Sequence, residues 1–368
     1  MDIKKIVLRH IKLPLTVPFR THQGTITDRS LIIVEAHDAE GWCGYGEVTA
    51  FSEPFYTYET TSTAWEILIN FIIPQTPFGE LEHPSDLSKN FQSVKGHPMA
   101  KAGLEGAIWD LFSKKQNVSL RELIGGTSET VRAGAVLSLS DSLEEDVKGL
   151  KDSGYQRYKL KVNLGQEEEL IKKVQKVDAD LPIMIDANGM YSKDDIPHLI
   201  ELDQYGLMMI EQPFQAGDFY LHRKLQKQLK TPICLDESVM SFHDAKQALE
   251  LESCKVINVK ISRVGGLSEA IKIHDYCLEK GIPVWCGGMV ESGISKAHNL
   301  ALASLPNFTI PGDLSSSSRY FEKDIIKPEI EVVNGMIKVP DQPGIGVEVD
   351  EGYLKEVTLD VHQVHVYG

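Results

Sequence analysis

The sequence predicts an α/β protein in which a parallel β/α barrel is preceded by a smaller α+β domain. Three observations predict it. From Thr127 onward, short apolar runs alternate with stretches of helical period. The charged residues ending successive runs, Asp186, Glu211, Asp236 and Lys260, stand 25, 25 and 24 residues apart. A strand, a turn, an amphipathic helix and a second turn take about that length in one βαβ unit. Before Thr127 the pattern differs, with extended runs punctuated by Gly and Pro and then two helical stretches. Finally, no G-x-G-x-x-G or G-x-x-x-x-G-K follows a run, and charged ends recur on consecutive runs, which disfavours an open doubly wound sheet with one switch point.

Taken in order, residues 3–15 and 30–37 read as strands, with Pro18-Phe-Arg-Thr-His-Gln-Gly24 as the loop between them. Gly41-Trp-Cys-Gly-Tyr-Gly46 turns into a third run ending at Glu47, so the opening is an antiparallel meander. The loop from Val48 to Tyr58 carries Phe51, Phe55 and Tyr56. Helical period follows from Thr60 to Ile73 and from His97 to Lys115, the latter with Ala102, Leu104, Ile108, Trp109 and Phe112 on one face. Leu123-Ile-Gly-Gly126 suits a helix C-cap and turn. Strands are then expected at 131–138, 156–162, 182–185, 207–210, 232–235, 256–259, 283–286 and 308–311, with helices such as 141–153, 166–178 and 268–280 between them. Eight strands with helical crossovers fit a compact barrel. After Arg319 strand and turn patterns return, and the tail is expected to complete the first domain. The expected boundaries are 1–126 with 325–368 for that domain and 127–324 for the barrel.

At 368 residues with 42% hydrophobic and 25% charged residues, the chain can bury an ordinary globular core. Its formal charge of −15 argues against nucleic acid, whose phosphates need a basic surface. No apolar run reaches membrane-spanning length, and Met1-Asp-Ile-Lys-Lys leads into a strand-like run, so no membrane partner is expected. Five cysteines without a C-x-x-C pair fit reduced thiols in the cytoplasm. Composition leaves self-association into a homo-oligomer open.

The chemistry concentrates between Tyr158 and Lys260. Asp186, Glu211 and Asp236 each end an apolar run, so parallel neighbouring strands bring all three acids to one rim. Any one of them alone could cap the next helix. Three anions together call for a cation, and hard oxygen ligands favour Mg²⁺ over Zn²⁺. Lys159 and Lys161 are two apart on a strand and share a face. A surface lysine ladder is the alternative. Against it, Tyr155 to Tyr158 before them and Val162 after them suggest a barrel strand whose same-face residues point into the rim, and Lys260 arrives on the sixth run, opposite the pair. Near a metal and one another, such lysines are expected to have depressed pKa values, supplying a neutral amine as base. Asn188 and Glu237 adjoin the acids and are expected to orient them. Phe19, Arg20, Phe51 and Tyr56 from the first domain, with Gly288, Met289 and Val290 after the seventh run, are candidate substrate contacts. His22 is assigned no catalytic part.

These residues carry a resemblance. Lys159-Leu-Lys161, Asp186-Ala-Asn, Glu211-Gln-Pro, Asp236-Glu-Ser and Lys260-Ile-Ser-Arg-Val-Gly-Gly266 are similar to the motifs of the enolase superfamily, muconate-lactonising-enzyme subgroup, and the likeness spans the chain. The resemblance implies a modified (β/α)7β barrel under an α+β capping domain. It implies Asp186, Glu211 and Asp236 as Mg²⁺ ligands, with Mn²⁺ as a substitute, Lys161 and Lys260 as the acid/base pair, and Lys159 as electrostatic support. Pro18-Phe-Arg-Thr, Gly96-His-Pro-Met-Ala-Lys101, Trp285-Cys-Gly-Gly-Met-Val-Glu-Ser-Gly293 and Pro311-Gly-Asp-Leu-Ser-Ser-Ser-Ser are similar to a branch holding dehydrating lyases and N-acylamino acid racemases. One departure is Gly134-Ala-Val-Leu-Ser138, which shifts or removes a serine these relatives often place on the first strand. The implied activity is a carbon–oxygen lyase acting on a small-molecule carboxylate, with racemisation on the same lysines as the alternative.

Overall fold

The computed structural model describes residues 1–21, 24–138 and 140–366, the side chains of 19–21 and 24–26 excepted. Its first sheet has the order β11-β1-β2-β3, antiparallel throughout, from β1 (Ile3–Thr21), β2 (Gly24–Asp38), β3 (Cys43–Val48) and β11 (Thr358–His365). The sequence reading put a loop at Pro18–Gly24, whereas β1 and β2 form one long hairpin that pairs Phe19 with Ile26 and Arg20 with Thr25. The register shifts between Pro14 and Phe19, where Pro18 lacks an N–H, so the ladder is interrupted without ending. His22 lies outside the described residues.

Helix α1 (Pro98–Gln116) lies directly on β3, and glycines make this possible. A Cβ at Gly44 would stand 2.2 Å from the Ala107 carbonyl, and one at Gly46 would stand 2.1 Å from that of Gly103. The turn-like Gly41-x-x-Gly-x-Gly pattern is thus also a packing surface. The single apolar face read from sequence understates this helix, which is buried almost all round, Glu105 and Asp110 included. The sheet covers one side and the barrel the other, where Trp109 Nε1 donates to Ser268 Oγ at 3.2 Å.

The barrel is a curved parallel sheet of β4 (Ala135–Ser138), β5 (Tyr158–Lys161), β6 (Ile183–Asp186), β7 (Met209–Glu211), β8 (Ile233–Leu235), β9 (Val256–Val259) and β10 (Val284–Cys286), in chain order. Crossovers carry α2 (Leu143–Asp152), α3 (Glu167–Val177), α4 (Ile196–Leu202), α5 (Phe219–Gln226), α6 (Phe242–Glu250) and α7 (Leu267–Lys280), and α8 (Gly293–Ala303) follows β10. Two expectations need correcting. The run 131–138 is not one strand, because Thr130–Arg132 pairs antiparallel with Met336–Lys338 and only Ala135–Ser138 enters the barrel. Residues 308–311 form no regular strand. Instead, single parallel bridges Val284–Phe308 and Ala133–Gly312 fill the eighth position, with Asp313 N donating to the Cys286 carbonyl at 2.9 Å and Gly134 N to the Gly312 carbonyl at 2.7 Å. Pro311 cannot donate to a ladder, so the ring closes through an irregular segment.

Candidate active site

Side chains on a strand alternate, so the barrel interior is built in layers. Met184, Met209, Cys234, Val256 and Trp285 form one buried cluster, the floor. Two residues further along the same strands stand Asp186, Glu211, Asp236 and Asn258. In register, Lys159 is level with Met184, and Lys161 with Asp186, which pairs in turn with Glu211. The repeat seen in sequence is therefore a ring of charge resting on an apolar floor, at the C-terminal ends of the strands.

The acids are buried and paired with cations. Lys159 Nζ lies 3.2 Å from Asp186 Oδ2, 3.0 Å from Glu211 Oε2 and 2.5 Å from Asp313 Oδ2, with its ammonium 5.2 Å from the Trp285 ring centroid. Lys161, two-fifths exposed at the rim, bonds Asp186 Oδ2 and donates to Asn188 Oδ1 at 2.8 Å. Across the ring, Lys260 Nζ donates to Asp236 Oδ2 at 2.8 Å and to the Tyr56 hydroxyl at 2.9 Å, and Arg263 Nη1 pairs with Asp236 Oδ1. Asn258 Nδ2 donates to Glu211 Oε1 at 2.8 Å, and Asn188 Nδ2 donates to Glu237 Oε1 at 2.9 Å.

These pairings set the charge states. Burial pushes Asp186 upward, but Lys159 and Lys161 outweigh it and leave the carboxyl at about 2. Glu211 is pushed up, by burial and by Asp186, against the pull of Lys159. Among the protein's own charges, Lys159 and Lys260 are raised and not depressed. Burial lowers both, but Asp313, Glu211 and Asp186 raise Lys159 further, and Tyr56, Glu237 and Glu211 do the same for Lys260. The carboxylate field outweighs the mutual repulsion of the lysines.

A hard divalent cation fits this donor set. Asp186, Glu211 and Asp236 offer only oxygen, and Glu237 Oε2 and Asn258 Oδ1 are buried beside them without a hydrogen-bond partner among the described residues. A second group of donor atoms, Glu35, His37 and Cys43 on the first sheet, already has its carboxylate paired with Arg9. A cavity of about 620 Å³ lined by Gln226, Lys227, Cys254, Tyr276 and Ile282 lies where the chain enters the strands and holds none of these residues.

The other candidates divide. Tyr56 enters the ring from the first domain, and Phe51 lies edge-on to it with centroids 6.4 Å apart. Gly288 packs close under the Asp313 carbonyl, 2.5 Å from where a Cβ would be. Met289 turns away into the core of the first domain, while Val290, half-buried, holds a φ of +56°. For a β-branched residue that is strained backbone. The side chains of Phe19 and Arg20 lie outside the described residues. Ser138 stands in register with Lys161 at the rim, so the first strand does carry a hydroxyl there.

Sequence reasoning gave no role to Asp313, Arg157 or Arg263, although Asp313 and Arg263 stand within runs that carry the resemblance. Asp313 bonds both Lys159 and Arg157, the latter at 2.6 Å, and Arg157 fills the space a Cβ at Gly134 would take. Arg263 is wholly buried and also donates from Nε to the Val239 carbonyl at 2.8 Å. One signal was present for Asp313. It ends the eighth apolar run, Phe308-Thr-Ile-Pro-Gly-Asp, as the other acids end theirs.

Comparison with known proteins agrees with this architecture. Residues 3–125 match the model for the mandelate racemase / muconate lactonizing enzyme N-terminal domain, and 142–353 match the enolase C-terminal domain-like model. An o-succinylbenzoate synthase of Bacillus subtilis is 50% identical over 99% of this chain and 100% of its own. An N-succinylamino acid racemase of Amycolatopsis is 38% identical over 97% and 98%. A solved enolase-superfamily protein from Listeria innocua superposes with a TM-score of 0.95 at 42% identity, covering 99% of each chain. With both halves matched by its family models and full-length relatives this similar, the chain belongs to the enolase superfamily, in its mandelate racemase / muconate lactonizing group.

Proposed function

We propose that the chain is an o-succinylbenzoate synthase, a carbon–oxygen lyase that dehydrates 2-succinyl-6-hydroxy-2,4-cyclohexadiene-1-carboxylate on the route to menaquinone. The observation that carries this reading is the 50% identity to such a synthase over the whole of both chains, against 38% for the racemases. The geometry supports the chemistry. Lys161 and Lys260 lie four strands apart in a ring of eight positions, so they face each other across the acids.

Members of this family work with a divalent metal ion. Here it would be Mg²⁺, or Mn²⁺ in its place, held by Asp186, Glu211 and Asp236 and supplying positive charge against the carboxylate as it becomes an enediolate. Lys161, as the neutral amine, takes the proton α to the carboxylate. The electron pair then expels hydroxide from the neighbouring carbon, and the ring becomes aromatic. On the same face, Lys161 returns its proton to the leaving oxygen, so water departs in a syn elimination. Lys260 stays protonated and holds the enediolate by charge and by contact with the forming π system. Lys159 adds a fixed positive field, and Asn188 and Glu237 orient the rim. We assign the cap to 1–126 with 325–368 and the barrel to 127–324.

The test is ultraviolet absorbance of the aromatic product with Mg²⁺ present; absence of turnover removes the reading. Racemisation remains as a second activity, because opposed lysines can remove and deliver a proton on opposite faces. α-Deuteron exchange with loss of optical rotation in N-succinylphenylalanine measures it.

A further inference from the structure

We propose that Arg29, outside the catalytic and metal-ligand set, is a positioning residue that fixes the cap's mouth segment against the barrel's seventh loop and so sets substrate affinity. The proposal rests on reading that mouth as the substrate site. Arg29 lies on β2 and is 3% exposed, and among the described residues no carboxylate comes within ion-pair distance of it. Its hydrogen bonds go to main-chain carbonyls instead. Nε donates to Val290 at 3.1 Å, Nη1 to Ser30 and Ala50 at 2.9 Å each, and Nη2 to Thr49 and, at 3.4 Å, to Met289. Those bonds use the five N–H groups of a guanidinium, a planar fork that an ammonium cannot reproduce.

Two segments of different domains meet on this fork. Thr49 and Ala50 open the segment bearing Phe51 and Tyr56, and Phe51 lies over the guanidinium with its centroid 4.1 Å from Cζ. Tyr56 reaches from the same segment to Lys260. Met289 and Val290 belong to the loop after β10. Val290 keeps its left-handed φ of +56° with its carbonyl held by Arg29, while Glu291 Oε2 accepts from Met289 N. An unusual backbone conformation persists where its surroundings over-determine it, and Arg29 supplies that determination. The burial of a cation with no direct counter-ion is what such a clamp costs; Glu47 and Glu291 act on it only through longer-range attraction.

Arg29→Lys keeps the charge and loses the fork. For this variant the expected result is a KM raised about tenfold or more with kcat within about threefold, and an unchanged Mg²⁺ requirement. An unchanged KM in a folded Arg29→Lys protein overturns the proposal, and so does a fall in kcat at constant KM. Wild-type turnover tests the synthase reading separately, since the Arg29 result is a ratio to it. Amide hydrogen exchange on the wild-type protein needs neither turnover nor a folded variant. Residues 49–56 and 288–291 should open as one unit, with protection within about threefold of each other. Protection differing by about thirtyfold or more between them overturns the proposal.

Discussion

Two sets of buried acids in this protein have opposite fates. At the rim, Asp186 and Asp313 lie below the ordinary carboxylate range because lysine and arginine stand against them. Within the cap and along its seam with the barrel, Glu47, Glu59 and Glu105 have no ammonium or guanidinium in contact among the described residues, and they accept from backbone N–H groups at helix starts. Glu47 takes Ser292 and Ser295 at α8, Glu59 takes Met99 and Ala100 at α1, and Glu105 takes Ser268 at α7. Burial pushes these three up to about 8, 7 and 7, against the pull of those hydrogen bonds. Helix-start donors do not offset desolvation as a full cation does. Asp186 and Asp313 at the rim are held charged, whereas burial draws the seam acids toward their protonated form.

The largest effect that would sharpen this contrast is at the rim. Lys161→Ala should lower turnover about 10³-fold in the ultraviolet assay while leaving the melting temperature near wild type, since a proton-transfer group is lost from a part-exposed position. Full activity would break the assignment. Next is Asp313→Asn, which removes one partner of Lys159 and of Arg157. Turnover about 10- to 100-fold lower is expected, the range for groups that orient a site from behind. A smaller change is expected from Asn188→Ala, which frees Glu237 and Lys161. The Mg²⁺ concentration giving half-maximal rate should rise about tenfold.

The seam makes its own prediction with pH. Carboxyls raised in the folded state contribute stability that is present in full below their unfolded pKa and is lost as pH rises through their folded values. Stability attributable to Glu47 should therefore fall between about pH 5 and 8. Glu47→Gln keeps an acceptor and removes the ionisation. Its melting temperature, followed by circular dichroism, should change less across that window than that of wild type, and parallel profiles would break the comparison.

The rim was legible because a strand's period of two converts an apolar run with a charged last residue into a floor with a charge above it. Asp186, Glu211, Asp236, Lys161 and Lys260 announce themselves that way, and Lys159 shares the face of Lys161 two residues earlier. Asp313 ends its run in the same manner, but Pro311 and Gly312 interrupt the strand pattern before it and weaken the signal. Arg157 and Arg29 were invisible for another reason, and Arg263 showed only as part of a motif, with no role. Key partners lie far along the chain, such as Val290 for Arg29 and Asp313 for Arg157, and nothing in the local pattern marks an arginine as buried. The pairing of residues 19–21 with 24–26 was missed since Pro and Gly mark turns more often than they interrupt a ladder.

The pairing of β11 with β1 joins residues 358–365 to residues 5–11, far apart along the chain. During synthesis β1 therefore keeps one edge open until a strand far along the chain has been made and has left the ribosome. Neither β2 nor α1 can cover that edge in the interval, because each is committed elsewhere. Such an edge invites pairing with a neighbouring nascent chain, and Lys5, Arg9 and Lys12 along it supply the like charge that discourages that encounter.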